Sequence, residues 1–222
     1  MYESGGVGVK AVIFDLDGTL LDREGSLLSF LEDQYVRFRG LQKIDKQAFV
    51  NRFVELDCRG YVWKDAVYRQ MIQECGLDMS WEELLEDYIT NFHRHCIGFP
   101  NLLNVLDLIK QQGLKLGLLS NGYGQFQYAN VQGLSIEAYF DCILISEWEG
   151  LRKPDPAIFH RALYKLSVRA EEAIYVGDHP DNDVRASRAI GMTAIWKEDK
   201  YYEIPAEADA MIRDLLDLKL YL

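Results

Sequence analysis

Asp15 and Asp17 stand two residues apart in Val12-Ile13-Phe14-Asp15-Leu16-Asp17-Gly18-Thr19-Leu20, at the end of a short apolar run. Residues i and i+2 point to the same side of extended backbone, so the two carboxylates can converge on one spot. Gly18 lets the chain turn sharply there. Two buried acids that close repel each other, and both cannot ionise freely without a counter-charge. A divalent cation is one solution, and Mg²⁺ favours one or two carboxylates, water and substrate phosphate. The other is one ionised and one protonated acid, which is a nucleophile beside a general acid. Taken alone, Asp-x-Asp-Gly is also an ordinary turn, because turns are rich in both residues.

Three further polar groups lift the pair above that reading. They are Ser120-Asn121-Gly122, Lys153-Pro154-Asp155, and Gly177-Asp178-His179-Pro180-Asp181-Asn182-Asp183. Each follows an apolar run of its own. Val9 to Phe14, Leu114 to Leu119, Cys142 to Ile145, Ala173 to Val176 and Thr193 to Trp196 all read as short buried strands. Helical patterns separate them, near 101–112, 123–133, 155–166, 182–190 and 207–217. Strands alternating with helices predict an α/β fold with a Rossmann-like parallel sheet covered on both faces. Ligands bind such sheets at the carboxyl ends of their strands, where all four polar groups would meet.

One stretch breaks the alternation. From Ser26 to Ile97 four helical segments are expected, near 26–39, 46–57, 63–75 and 81–96. Phe30, Tyr35, Phe38, Phe49, Phe53, Tyr68, Met71, Leu84, Leu85, Tyr88 and Phe92 recur at helical spacing. They predict an all-α insert with its own core, the aromatics being packing rather than a cofactor box. Ser80 to Glu83 has the capping-box pattern and starts the fourth helix. The links at 21–25 and 97–100 make plausible hinges. The expected division is 1–22 with 98–222 as the α/β core, and 23–97 as the helical insert.

Composition excludes other classes. The 222 residues are 49% apolar and 27% charged, which is globular. A net charge of −11 argues against nucleic acid as a partner, since phosphate backbones need clustered Lys and Arg. Met1 to Lys10 has no apolar signal-peptide core, and no apolar run is long enough to span a membrane. Cys58, Cys75, Cys96 and Cys142 form no CxxC pair, and read as thiols in a reducing cytoplasm.

The four motifs, in this order over residues 11 to 196, resemble those of the haloacid dehalogenase (HAD) superfamily. Asp15-Leu16-Asp17-Gly18-Thr19-Leu20 carries most of the resemblance. Ser120-Asn121-Gly122, Lys153-Pro154-Asp155-Pro156, and Gly177-Asp178 with Asn182-Asp183 complete it. The insert looks like the helical cap of the family's first cap class. The resemblance implies a cytoplasmic, Mg²⁺-dependent phosphatase acting on a small phosphorylated metabolite through an aspartyl-phosphate. It makes Asp15 the nucleophile and Asp17 the acid that protonates the leaving oxygen and then activates water. Ser120 and Asn121 would bind the phosphate, and Lys153 would balance charge. Asp178 would hold Mg²⁺ with Asp15 and with Asp17 through its backbone carbonyl, while Asp183 would act through water or by orienting Lys153.

Asp17 separates branches of the family. The dehalogenase branch lacks that second acid, and a leaving alcohol needs a proton that a halide does not. The alternatives are a phosphomutase on the same scaffold, a 2-haloacid dehalogenase or a non-catalytic binding protein. The expected partner is the substrate alone, with no nucleic acid and no membrane, in a monomer or homodimer. Arg59-Gly60-Tyr61 interrupts two helical segments. Arg59 is a candidate for a second anionic group of the substrate and Tyr61 for stacking on a ring, with an ordinary solvated connection as the competing reading. Arg23, Arg52 and Lys64 are further, unranked candidates. His179 follows Asp178 where relatives often carry Ser or Thr, and reads either as a pH-sensitive neighbour of the site or as a turn residue fixed by Pro180.

Overall fold

The computed structural model describes residues 8–222. Met1 to Val7, the greater part of the segment read above for a signal peptide, lie outside the described residues. The chain divides into two compact units, Met1–Asp22 with Gly98–Leu222, and Arg23–Ile97.

The first strand, β1 (Ala11–Phe14), is followed by four helices: α1 (Arg23–Arg37), α2 (Lys46–Asp57), α3 (Lys64–Cys75) and α4 (Trp81–Asn91). Then come α5 (Leu102–Gln111), β2 (Lys115–Ser120), α6 (Gly124–Gly133), β3 (Cys142–Ile145), α7 (Ser146–Glu149) and α8 (Pro156–Leu166). The chain closes with β4 (Ala173–Gly177), α9 (Ala186–Ala189), β5 (Thr193–Lys197), β6 (Ala210–Ile212) and a 3₁₀ segment, Leu215–Leu220.

The strands form one six-stranded parallel sheet in the order β3-β2-β1-β4-β5-β6. β1 is central, with Phe14 level with Leu118 of β2 and Val176 of β4. Its four residues are fully buried, which is why the strand reads as an unbroken apolar run rather than an alternation. On one face Ile13, Leu119 and Tyr175 pack with Ile158, Phe159, Leu163 and Leu166 of α8. α8 starts cleanly, because Asp155 accepts the Ala157 N–H at 2.9 Å and Pro156 takes the first turn. The chain fills one side of β1 before crossing to the other, so the β2-β1-β4 group is the switch point of the sheet.

The helical unit has the expected aromatic core. Phe30, Phe49, Phe53, Tyr68, Tyr88 and Phe92 are buried, with Phe30 edge-on to Tyr88 at 5.3 Å and Phe53 to Tyr68 at 5.1 Å. Buried Gln34 ties three helices together. Its amide donates to Leu84 O and Asp87 Oδ2, and its carbonyl accepts from Tyr68 Oη. Ser80 caps α4 by accepting the Glu83 N–H.

Three helical expectations are corrected. The pattern at 207–217 is β6 followed by a 3₁₀ segment. Ala210-Met211-Ile212 pairs with Ile195-Trp196-Lys197, and Asp209 bonds Ala194 through both its carboxylate and its backbone N–H. Sheet pairing overrides the helical spacing there. The pattern at 182–190 opens with a π-helical turn, Pro180–Arg185, and only Ala186–Ala189 is α. The pattern at 81–96 stops at Asn91 and finishes as a 3₁₀ turn, Phe92–His95. The C-terminal segment folds onto its own unit through buried Leu215 and Leu218, while Leu220 is exposed.

Candidate active site

The carboxyl ends of β1, β2 and β4 place Asp15, Ser120 and Asp178 side by side. Asp15 extends the ladder by one bond, its N–H donating to Val176 O at 2.9 Å. Beyond it the chain folds into a tight loop, with Leu16 O accepting the N–H groups of Thr19, Leu20 and Leu21. Gly18 adopts φ +84°, and a Cβ there would lie 2.6 Å from Asp178 Oδ2. The absence of a side chain therefore lets the first and fourth motifs touch.

Lys153 is the centre of the arrangement. It is 3% exposed, and its Nζ lies 2.5 Å from Asp15 Oδ1, 2.7 Å from Asp183 Oδ1 and 3.0 Å from Tyr175 Oη. Its backbone is held from both sides by Asn121, whose Oδ1 accepts the Lys153 N–H while its Nδ2 donates to Lys153 O. The Lys153–Pro154 peptide is cis. Asp183 accepts further bonds from Tyr175 Oη and from the His179 N–H. Trp196 Nε1 donates to Asp178 O at 2.6 Å and pins the loop after β4.

Asp15, Asp178 and Asp183 are buried and each brings a carboxylate oxygen within 4.8 Å of the others. Asp17 points elsewhere. Its Oδ2 accepts from Gln127 Nε2 at 2.5 Å, and the same Nε2 donates to Ser120 Oγ at 3.0 Å. Burial pushes the Asp15 carboxyl up to about 7, against the downward pull of Lys153, with Asp183 and Asp17 adding to the rise. Asp178 is pushed up by burial and by the charges of Asp15 and Asp183. Lys153 is held above the usual lysine range by Asp15 and Asp183, although burial works against its charge. Burial, reinforced by Asp183, likewise raises Tyr175.

The centre thus brings the carboxylates of Asp15, Asp178 and Asp183 together beside the Lys153 ammonium, with buried Lys197 also acting on Asp178. The donor set is all hard oxygen, and the excess negative charge sits where Asp15, Asp178 and Asp183 converge. These residues fit a divalent cation of the Mg²⁺ kind.

Residues 12–197 match the haloacid dehalogenase-like hydrolase family. The chain belongs to this family. Among its relatives is the glyceraldehyde 3-phosphate phosphatase of Pyrococcus furiosus, 28% identical over 95% of this chain and 91% of that one. The phosphoserine phosphatase of Thermus thermophilus is 34% identical over 60% of this chain, and the match spans 54% of that relative's length. A crystal structure of a HAD phosphatase from Thermococcus onnurineus superposes with a TM-score of 0.68, at 28% identity, covering 96% of this chain and 97% of that one.

Against the family motifs, the structure brings Asp15, Lys153, Asp178 and Asp183 together, with Asp17 and Ser120 joined to each other through Gln127. Both ends of the Asn121 side-chain amide are engaged by the Lys153 backbone, so that amide positions the lysine. The Asp17 carboxylate lies outside the converging cluster, its expected metal contact being through the backbone carbonyl, and Asp183 holds Lys153 Nζ, one of the two roles expected of it. His179 is a turn cap, its Nδ1 accepting the N–H groups of Asp181 and Asn182. Arg59 and Tyr61 lie in the helical unit, both exposed, on the left-handed turn after α2. In the same unit Arg23 and Lys64 both pair with buried Asp57, and Arg52 pairs with Glu55 and Glu74. Burial pushes the Cys142 thiol up to about 11, away from the thiolate form.

Two residues of the site escape sequence reasoning. Tyr175 lies inside an apolar strand and reads as core, yet its hydroxyl bridges Lys153 and Asp183. Gln127 is one of four side-chain amides in α6, with Gln125, Asn130 and Gln132. Its signal is a polar side chain in the first turn of a helix that follows Ser120-Asn121-Gly122, close enough to reach back onto them.

Proposed function

We propose that the chain is a Mg²⁺-dependent phosphatase that hydrolyses a small phosphorylated metabolite through an aspartyl-phosphate on Asp15. The observation that carries this reading is the ion pair of Lys153 with Asp15 beside a separate second acid, Asp17. An anionic nucleophile attacking an anionic phosphate needs cations at the point of approach, and a departing alkoxide needs a proton. A bound Mg²⁺ on Asp15 and Asp178 would supply the second cationic charge and polarise the phosphoryl oxygens.

In the first step an Asp15 carboxylate oxygen forms a bond to phosphorus as the bond from phosphorus to the ester oxygen breaks. The leaving oxygen takes the proton of Asp17. In the second step the Asp17 carboxylate takes a proton from water, whose oxygen attacks phosphorus and breaks the bond to Asp15. Inorganic phosphate leaves and Asp17 is again the acid. Lys153 Nζ, held by Asp183 and Tyr175, stays protonated throughout and balances the phosphoryl charge. The relatives support this substrate class, since those named above act on phosphoserine and glyceraldehyde 3-phosphate.

The test is phosphate release from a panel of phosphate esters, with Mg²⁺ and with EDTA, for wild type and Asp15→Asn. Release that needs Mg²⁺ and disappears in Asp15→Asn is expected, and the best ester identifies the metabolite. No release from any ester under any of these conditions would overturn the reading.

A further inference from the structure

Gln127 makes three polar contacts with the site and is 3% exposed. Its Nε2 lies 2.5 Å from Asp17 Oδ2, 3.0 Å from Ser120 Oγ and 3.1 Å from Asn121 O. Its Oε1 accepts from Asn130 Nδ2 at 2.9 Å, one turn further along α6. A side-chain amide has one donating and one accepting end. With the accepting end taken by Asn130, the donating end must face Asp17. Gly122 makes the approach possible: it sits at φ +148°, and a Cβ there would come within 2.8 Å of Gln127 Cγ.

We propose that Gln127 is a positioning residue for Asp17. Its N–H occupies Asp17 Oδ2, fixes the plane of the carboxyl group and leaves Oδ1 as the oxygen that carries the proton. An oxygen already accepting an N–H bond is the poorer place for the acid hydrogen, because protonating it sets that hydrogen against the donor's own. The second N–H holds Ser120 Oγ or Asn121 O, so one amide sets both the acid and the strand end beside it. This inference rests on the reading of Asp17 as general acid.

The experiment compares single-turnover cleavage of glycerol phosphate with that of 2,4-dinitrophenyl phosphate. The first has a leaving group that needs a proton and the second does not. The quantity read is the ratio of the two rates, in Mg²⁺, for wild type, Asp17→Asn, Gln127→Met, Gln127→Glu and the double variant Asp17→Asn with Gln127→Met. Gln127→Met is expected to lower the ratio by about tenfold to a hundredfold, within the range a general acid contributes. Gln127→Glu, which keeps the length but not the donor, lowers it as well and stands in should the first variant not fold. The double variant matches Asp17→Asn within about twofold, because the two residues act as a unit. A merely structural glutamine would slow both esters alike and leave the ratio unchanged. If Asp17→Asn lowers the ratio and neither Gln127 variant does, the proposal is overturned and the phosphatase reading stands. If Asp17→Asn itself leaves the ratio unchanged, its role as acid falls and the proposal falls with it.

Discussion

Thr19 carries a fully buried hydroxyl, and among the described residues its Oγ1 is the buried side-chain polar atom with no hydrogen-bond partner. Leaving such a group desolvated costs about 1–3 kcal/mol. Thr19→Val keeps the shape and removes the cost, so it should stabilise the protein by about 1 kcal/mol and raise the melting temperature by roughly 2–4 °C. A thermal melt decides it, and a lowered midpoint would show that the hydroxyl has a partner in solution. At this scale Asp15, Asp17 and Asp178 are legible from sequence because each stands at the end of an apolar run, and Lys153 because its Lys-Pro-Asp motif comes a short distance after another. Asn121 is legible as a member of the site, but nothing in the chain order says that its side-chain amide faces the Lys153 backbone. Tyr175 is hidden for the opposite reason. A tyrosine inside a buried strand has an apolar body that explains its place, and only the three-dimensional neighbours of its hydroxyl give it a role.

Among the elements, β1 and β4 are also joined at the ends remote from the site. Lys10 donates its N–H to Glu172 O at 2.8 Å, and its Nζ reaches Glu172 Oε1 at 2.7 Å. Arg169 binds the same carboxylate through its side chain and its backbone N–H. Arg169 first, and then Lys10, hold the Glu172 carboxyl down to about 2, against an ordinary 4.5. A folded-state pKa below the unfolded one contributes stability above the unfolded value, and that stability is lost as the pH falls through the folded one. Glu172→Gln should therefore melt at a lower temperature than wild type at neutral pH, and the gap should close between pH 4.5 and 2. A gap that stays constant across that window would assign the loss to packing instead. The strands of this sheet are readable in the sequence because burial on both faces makes them continuous apolar runs. β6 is not, because a three-residue edge strand owes its conformation to the neighbour it pairs with rather than to its own residues.

For the molecule as a whole, the decisive quantity is the balance of charge around Lys153. The chain as a whole carries a net −11, and three of its carboxylates, those of Asp15, Asp178 and Asp183, converge beside Lys153 at the sheet edge. A cation that binds only the folded state stabilises by mass action, about 2.7 kcal/mol at a hundred times its dissociation constant. Mg²⁺ at such a concentration should raise the melting temperature by roughly 5–10 °C for a chain of this size. Asp178→Asn should abolish that shift, and an equal shift in the variant would place the ion elsewhere. Two matching levels of organisation are visible in the sequence, the alternating strands and the aromatic helical stretch. The precise grouping of side chains over Lys153 is not, because Asp15 and Lys153 lie 138 residues apart and meet only when the sheet is complete.

The α/β unit surrenders its chain to the helical unit and recovers it at almost the same point. Leu21 bridges Gly98, and the Phe99 N–H returns to Leu20 O at 2.9 Å. To the sheet, residues 23–97 are therefore a hairpin loop of unusual length. The entropic cost of closing a loop grows only with the logarithm of its length, so the sheet is nearly indifferent to how much chain is inserted there. The insert is free to lengthen, shorten or exchange its sequence without disturbing the register of β1 and β2. Novelty can accumulate in that loop while the residues around Lys153 stay where the strands put them.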